Sequence, residues 1–217
     1  MRNMIVILLT SLYSIVSLGQ DQYFEGIIEF DHIIIPKDST YDVDYDYDGI
    51  GTSSTYLFKN GNLMFQNKNG YFKKSIFSSG NNRSFLFTVQ SDTVMTLDGR
   101  LNDADLIDYK FEDAKEVILD YECKVLTISL KPKGKEFPLS TRRYYFPKSV
   151  NIDGSQFKEC YGNFYNLVYG ESNSVPLRIE YEWPNRIVRW QAKSITSQEI
   201  DSKIFEIEEG TVLQQVN

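Results

Sequence analysis

The sequence has little of the residues on which most catalytic and metal-binding chemistry depends. Its 217 residues include a single histidine and two cysteines. One histidine excludes multi-histidine metal sites and most catalytic triads, and two cysteines exclude a disulfide-dense scaffold or a zinc-finger array. The motifs G-x-S-x-G and H-E-x-x-H and a phosphate-binding glycine loop are also missing. Paired carboxylates could serve glycoside hydrolysis, but nothing singles out a pair among 30 acidic residues, so we expect a protein that is not an enzyme.

Basic residues are also in the minority. There are 23 lysines and arginines against 30 acidic residues, which gives a net charge of −7. This balance argues against a nucleic-acid partner, because phosphate binding requires a basic face. We expect the small basic clusters at Lys131–Lys135 and Arg142–Arg143 to be solvated. The composition, 41 % hydrophobic and 24 % charged, excludes intrinsic disorder and fits one globular domain.

The first nineteen residues have the features of a secretory signal peptide. A basic residue, Arg2, precedes an apolar stretch from Met4 to Leu18, and the small residues Ser17 and Gly19 stand where a signal peptidase cleaves. The alternative is an N-terminal membrane anchor, but the apolar run is shorter than the roughly 20 residues that a spanning helix needs. We predict cleavage after Gly19, export to the periplasm or the cell exterior, and a mature domain of residues 20–217. No later run is long enough to form a membrane segment.

Most of the remaining chain alternates between apolar and polar residues, which is typical of half-buried strands. The alternation is clearest from Leu177 to Ala192, where Pro184-Asn185 interrupts it, and it predicts a hairpin. A first strand is expected over Phe24–Ile34. Further strands are predicted at Thr55–Lys59, Leu63–Gln66, Tyr71–Phe77, Ser84–Gln90, Thr93–Leu97, Glu116–Leu130 and Arg142–Phe146. Turn signals between them, such as Asn60-Gly61 and Asp98-Gly99, favour antiparallel hairpins.

The predicted strand Glu116–Leu130 changes phase along its length. Val117, Leu119, Tyr121, Cys123 and Val125 share one face, whereas Leu126, Ile128 and Leu130 share the other. A bulge near Val125 would keep both sets buried and would bend the sheet.

Two segments have helical rather than strand spacing. Apolar residues recur at three- and four-residue intervals from Phe157 to Val168, which predicts a helix, and Asp103–Tyr109 is predicted as a second, shorter one. The expected fold is therefore mainly β (α+β), a large curved antiparallel sheet with one or two short helices packed on it.

The segment Asp42–Gly49 contains the pattern D-x-D-x-D-G, which begins a calcium loop. Asp44, Asp46 and Asp48 would be the metal ligands, but Thr55 stands where the motif requires a bidentate glutamate. We expect a solvated acidic loop and no cofactor, with calcium as the weaker alternative. His32 is in phase with the apolar residues of the first strand, so we expect a core histidine with a hydrogen-bonded ring.

Cys123 lies on an apolar strand face and Cys160 on the apolar side of the predicted helix. In an oxidising compartment two cysteines usually pair. We therefore predict a disulfide that joins helix to sheet; the alternative is two buried free thiols.

The chain is rich in aromatic residues, with 15 tyrosines, 14 phenylalanines and two tryptophans. In the predicted hairpin, the alternation places Leu177, Ile179, Tyr181 and Trp183 on one face, with Val188 and Trp190 on one face of the returning strand. We predict that these six residues line an apolar cavity that a ligand can enter. The alternative is that they pack under the helix in a filled core.

The order of these segments resembles a family of small exported proteins of Gram-negative envelopes, whose members are thought to share the curved half-barrel of the LolA/LolB lipoprotein carriers. The resemblance covers roughly residues 23–210. It rests on Phe24–Phe30, Tyr56–Asn62, Ile118–Lys124, Pro176–Glu180 and Phe205–Gly210.

The resemblance implies a LolA-like sheet around an apolar cavity that helices partly close. The expected function is binding or carriage of a lipid, an acyl chain or a lipopeptide, with a hydrophobic small molecule or a lipidated protein as partner. The alternative is a structural or interaction module of the cell envelope that binds no small ligand.

Overall fold

A computed structural model describes residues 23–133 and 138–216. The predicted signal peptide and its cleavage site after Gly19 lie outside the described residues. Twelve strands form one sheet. They are β1 (Gly26–Pro36), β2 (Ser53–Lys59), β3 (Asn62–Lys68), β4 (Phe72–Ser78), β5 (Arg83–Thr88), β6 (Val94–Asp98), β7 (Ala104–Ile118), β8 (Tyr121–Pro132), β9 (Ser140–Pro147), β10 (Arg178–Glu182), β11 (Arg186–Ser197) and β12 (Leu213–Gln215).

The sheet is open, and β12 and β7 are its two edge strands. The strand order is β12-β6-β5-β4-β3-β2-β1-β11-β10-β9-β8-β7. Neighbours are antiparallel except for β12 and β6, which pair in parallel. One α-helix, α1 (Asp44–Ile50), and a π-helical segment, Asn166–Glu171, accompany it, with 3-10 turns at Gly154–Phe157, Gly162–Phe164 and Ser202–Phe205. The prediction of a mainly β domain with few helices is confirmed.

The predicted hairpin Leu177–Ala192 is also confirmed. Strands β10 and β11 pair in register, with Ile179 opposite Trp190 and Tyr181 opposite Val188. The turn closes where the amide of Trp183 donates to the carbonyl of Arg186. Pro184 favours this turn because it has no amide hydrogen to donate to the strand ladder.

The predicted strand Glu116–Leu130 is wrong, because the chain reverses within it. Leu119 and Asp120 have positive φ angles of 51° and 66° and form the turn between β7 and β8. The predicted bulge near Val125 is not in β8, whose register with β9 is continuous. The irregularity lies in the partner strand β7, between Asp113 and Val117.

The predicted helix Asp103–Tyr109 is wrong as well, since Ala104 begins the fifteen-residue strand β7. Its register against β8 shifts between Leu106 and Asp108. The extra residue, Ile107, breaks the two-residue alternation, so the strand could not be recognised from the sequence at this point.

The predicted helix Phe157–Val168 forms as separate turns. Asn163 and Phe164 have positive φ angles of 52° and 59°, which interrupt any continuous helix. Gly162 sits against Gly99, where a Cβ atom would come within 3.0 Å of the Gly99 carbonyl oxygen. The apolar residues of this segment are buried nonetheless, apart from the exposed Tyr161.

The two faces of the sheet carry separate cores. On the face that we call the inner face, a cluster that includes Phe30, Tyr56, Leu126 and Tyr144 packs against residues 152–175. On the opposite, outer face, a smaller cluster around Ile76 packs against the C-terminal residues from 200 onward. Buried apolar area of this kind is the main source of stability in such a domain.

Candidate ligand-binding site on the inner face

The register of the sheet aligns the predicted cavity residues with neighbours from four other strands. One row across the inner face consists of Tyr109, Ile128, Arg142, Tyr181, Val188 and Ile34. The next row consists of Phe111, Leu126, Tyr144, Ile179, Trp190 and His32. The β10–β11 hairpin therefore presents its apolar side chains to one continuous, largely aromatic surface.

The six predicted cavity residues divide into two groups. Leu177, Ile179 and Val188 are buried, with exposed fractions of 0 %, 2 % and 4 %. Tyr181, Trp183 and Trp190 are partly exposed. The first group supports the filled-core alternative, and the second keeps some exposed surface even though Trp190 lies opposite Ile179 and Tyr181 opposite Val188. We call Tyr181, Trp183 and Trp190 the aromatic rim.

The aromatic rim is held by ring contacts. Trp190 stacks on His32 with ring centroids 4.9 Å apart and meets Phe65 edge-on at 5.0 Å. Tyr181 lies 6.2 Å from Trp190 and stacks on Trp183 at 5.9 Å. These separations fall in the range of favourable aromatic pairs. The indole nitrogen of Trp190 is buried and has no hydrogen-bond partner among residues 23–133 and 138–216, so the rim contains an unused but covered donor.

His32 fixes the inner end of the rim, and the prediction of a buried, hydrogen-bonded histidine is confirmed. It is 5 % exposed. Nδ1 donates to the carbonyl of Gly51 at 2.9 Å, because a carbonyl can only accept, and Nε2 accepts from the Ser54 hydroxyl at 2.9 Å. Burial lowers the pKa of His32 and so favours this neutral form.

Arg142 is a cation beside this surface, as is Lys124, whose Nζ atom lies 5.9 Å from the centre of the Phe111 ring. The sequence analysis missed Arg142 by assigning it to a solvated cluster. It lies between Ile128 and Tyr181 in the sheet and is partly buried. Its Cζ atom is 5.4 Å from the centre of the Tyr181 ring and 5.9 Å from that of Phe164. Its position in the strand was the available signal. Residues 142, 144 and 146 lie on the same face of β9, and the latter two are aromatic, so Arg142 could have been placed among aromatic side chains.

The apolar surface continues to the edge strand β7. Tyr109 and Phe111 point to the inner face opposite Ile128 and Leu126 and are 38 % and 36 % exposed. Leu106 occupies the same face and is 41 % exposed. An apolar area that remains exposed beside a packed core marks a binding surface more often than an isolated residue does.

The aspartates proposed as calcium ligands lie in and around helix α1 instead of the expected loop. Asp46 forms an ion pair with Arg186 at 2.7 Å and accepts from the Tyr41 hydroxyl at 2.7 Å. Asp44 and Asp48 are in the same seven-residue helix, and the Asp42 side chain accepts from the Asp44 amide. Within residues 23–133 and 138–216, no group of three potential ligands is placed to hold a metal ion.

The predicted disulfide between Cys123 and Cys160 is wrong, because both are buried free thiols. The Cys123 thiol donates to the carbonyl of Tyr121 at 3.4 Å, and the Cys160 thiol donates to that of Gln156 at 3.8 Å. Burial raises the pKa of both thiols, that of Cys160 to about 11. Such thiols are poor nucleophiles at neutral pH.

A separate groove of about 1770 Å³ lies on the outer face, between strands β3–β5 and residues 203–212. Its walls include Asn67, Lys73, Lys74 and Glu208. Apolar side chains such as Met64, Phe87 and Ile207 lie between these polar groups, so the groove has a mixed lining.

No family model matches the sequence, and the search of curated proteins gave no match. A functional proposal for this chain therefore has to come from the residues of the site. In the part of the chain that the structure describes, none of the helices has the length and apolar character needed to cross a membrane.

Proposed function

We propose that this protein is an exported, non-enzymatic binding protein that holds an acyl chain or lipid on the inner face of its sheet. The observation that carries the proposal is the partial exposure of the aromatic rim: Tyr181, Trp183 and Trp190 each keep some surface in water, although Tyr181 and Trp190 also pack against the inner core. An acyl chain gains affinity by removing such apolar surface from water.

The shape of the domain supports the same proposal. The sheet is open, and residues 152–175 cover only part of its inner face. An open sheet with a partial cover is what the LolA-like half-barrel proposed from the sequence resemblance would require. Cleavage after Gly19 and export to the periplasm or the cell exterior belong to the same proposal.

A structural or interaction module with a filled core is the second candidate. Leu177 and Ile179 favour it, because both are fully packed beneath residues 152–175. Under this alternative the aromatic rim is the outer layer of a core and binds no small ligand.

Tryptophan fluorescence distinguishes the two candidates. The chain has two tryptophans, and both belong to the aromatic rim. A brominated acyl chain quenches tryptophan only at short range, so 11-bromoundecanoate should quench the emission in a saturable way. Undecanoate, which has no bromine, should compete and restore it.

Native mass spectrometry of the protein as purified gives an independent measurement, and co-purified lipid would support the proposal. A clean protein mass together with unsaturable quenching would favour the structural module.

A further inference from the structure

Arg142 differs from the other arginines of the described chain in how its charge is balanced. Five of them form ion pairs with carboxylates: Arg100, Arg143, Arg178, Arg186 and Arg189. Arg83 has no ion pair, but it is exposed to water. Arg142 is partly buried and has no carboxylate within 4.0 Å among residues 23–133 and 138–216.

The comparison with Arg143 shows that the lack of an ion pair at Arg142 depends on the face of the sheet to which it points. Arg143 points to the outer face, where its guanidinium lies 2.5 Å from Glu182 and 4.0 Å from Glu180. Arg142 points to the inner face, where its neighbours in register are Ile128 and Tyr181. Partial burial of a charge is unfavourable unless that charge is paired, so an unpaired guanidinium here needs an explanation.

The groups around Arg142 stabilise its charge without an ion pair shorter than 4.0 Å: the Tyr144 side chain is hydrogen-bonded to it, and the carboxylate of Asp103 is near enough to interact with it electrostatically. Burial, the largest single influence, lowers its pKa, but the phenols of Tyr144 and Tyr181 and the carboxylate of Asp103 raise it by more. The faces of Tyr181 and Phe164 add cation–π attraction. A guanidinium has five N–H donors in a planar fork, a geometry that matches carboxylate and phosphate oxygens.

We propose that Arg142 binds the anionic head group, carboxylate or phosphate, of an acyl ligand whose chain lies along the aromatic rim. This inference rests on the proposed function. Arg142 and Tyr181 are cross-strand neighbours, so head group and chain would be bound side by side. The net charge of −7 repels anions at long range, so a preference for an acid has to come from a local cation. Arg142 lies beside Tyr181, whereas another nearby cation, Lys124, lies beside Phe111 and donates to the carbonyl of Ser172.

The test compares ligands that differ only in their head group. Tryptophan quenching is titrated with 11-bromoundecanoate, 11-bromoundecanol and 11-bromoundecyl phosphate. The wild type should bind an acid about tenfold or more tightly than the alcohol, as expected for a charge-assisted hydrogen bond. The tighter of the two acids identifies the source, a fatty acid for the carboxylate or a phospholipid for the phosphate.

Two variants assign the preference to Arg142. Arg142→Met should bind the alcohol as the wild type does and lose the preference for acids. Arg83→Met, which removes an exposed and unpaired arginine, should behave as the wild type. Arg142→Lys keeps the positive charge but lacks the planar guanidinium, so it should retain part of the preference for acids. This variant tests the role of Arg142 if Arg142→Met fails to fold.

The failure of this inference is distinct from failure of the proposed function. Equal affinity of the wild type for acid and alcohol, or an acid preference that survives in Arg142→Met, would overturn the role of Arg142 and leave acyl binding intact. Absence of saturable quenching by all three probes would overturn acyl binding itself.

Discussion

Truncation of the two tryptophans separates the part of the aromatic rim that stabilises the fold from the part that is free to bind. Trp190 touches four rings, with centroids 4.9 Å away at His32, 5.0 Å at Phe65, 6.2 Å at Tyr181 and 6.5 Å at Phe30. Trp183 has only the Tyr181 ring at 5.9 Å and the Arg186 guanidinium at 4.3 Å.

These contacts set the expected magnitudes. Truncation of a core tryptophan to alanine costs about 3–5 kcal/mol, and Trp190, being partly exposed, should lie near the lower limit, about 3 kcal/mol. Trp183 loses one aromatic pair and one exposed cation–π contact, together about 1 kcal/mol. Trp190→Ala should therefore be less stable than Trp183→Ala by about 2 kcal/mol.

Urea unfolding followed by far-ultraviolet circular dichroism measures this difference without depending on the mutated fluorophores. With an m-value of about 2 kcal/mol per molar urea, the two midpoints should differ by about 1 M. Trp183→Ala, the milder change, should still weaken binding of 11-bromoundecanoate, measured by quenching of the remaining Trp190. Equal urea midpoints for the two variants would refute the claim that Trp190 contributes more to stability than Trp183 does. Unchanged binding of 11-bromoundecanoate in Trp183→Ala would show that Trp183 is not part of the site.

Three further predictions concern His32, the Asp46–Arg186 ion pair and the two cysteines. Because burial lowers the pKa of His32 in the fold, the unfolded chain binds a proton more readily, so the unfolding free energy should fall as pH drops below about 6.5. His32→Asn should lack this part of the pH dependence. An unfolding free energy that falls equally with pH in the variant and the wild type would contradict the prediction. Asp46→Asn leaves Arg186 unpaired and should cost about 2 kcal/mol in urea unfolding, whereas Asp48→Asn should cost nothing measurable. Both cysteines should react with a thiol reagent in denaturant without reductant and resist it in the native protein, whereas protection in denaturant would indicate a disulfide.

Sequence alternation predicted the strands well where pairing is regular and poorly where it is not. The hairpin β10–β11 was correct because each residue of β10 has one partner in the register. Residues 103–109 were assigned to a helix because the extra residue Ile107 places Leu106 and Ile107 side by side, and a bulge of this kind resembles helical spacing.

Two turns were not predicted from the sequence, for a different reason. Leu119 adopts a positive φ angle of 51°, and Phe164 one of 59°. Side chains of this size rarely adopt that conformation, so neither residue predicts a turn by itself. Asp120 and Asn163 stand beside them and favour turns, but each is a single signal within a segment of regular apolar spacing.

The candidate site was predictable in its apolar part only. Period-two alternation identified Tyr181, Trp183 and Trp190 as sharing a face, but it cannot tell which residues of a face are covered. Coverage depends on where residues 152–175 pack, and these make contacts distant in sequence, such as that of Phe157 with Phe58 and Phe77. The same limit explains the missed Arg142, whose lack of an ion pair becomes evident only when its neighbours on β8 and β10 are known.

The inner face therefore accommodates both of the alternatives raised by the sequence, each on different side chains of the hairpin. Leu177, Ile179 and Val188 are buried and stabilise the fold. Because these residues form the core, their cross-strand partners Trp190 and Tyr181 do not have to be fully covered, and the partial exposure of Tyr181 and Trp183 costs the domain little. A domain that served only as a filled core would gain by placing an apolar residue at position 142 between Ile128 and Tyr181. The arginine found there is unfavourable for packing, and we take it as the feature that separates a binding protein from a structural module.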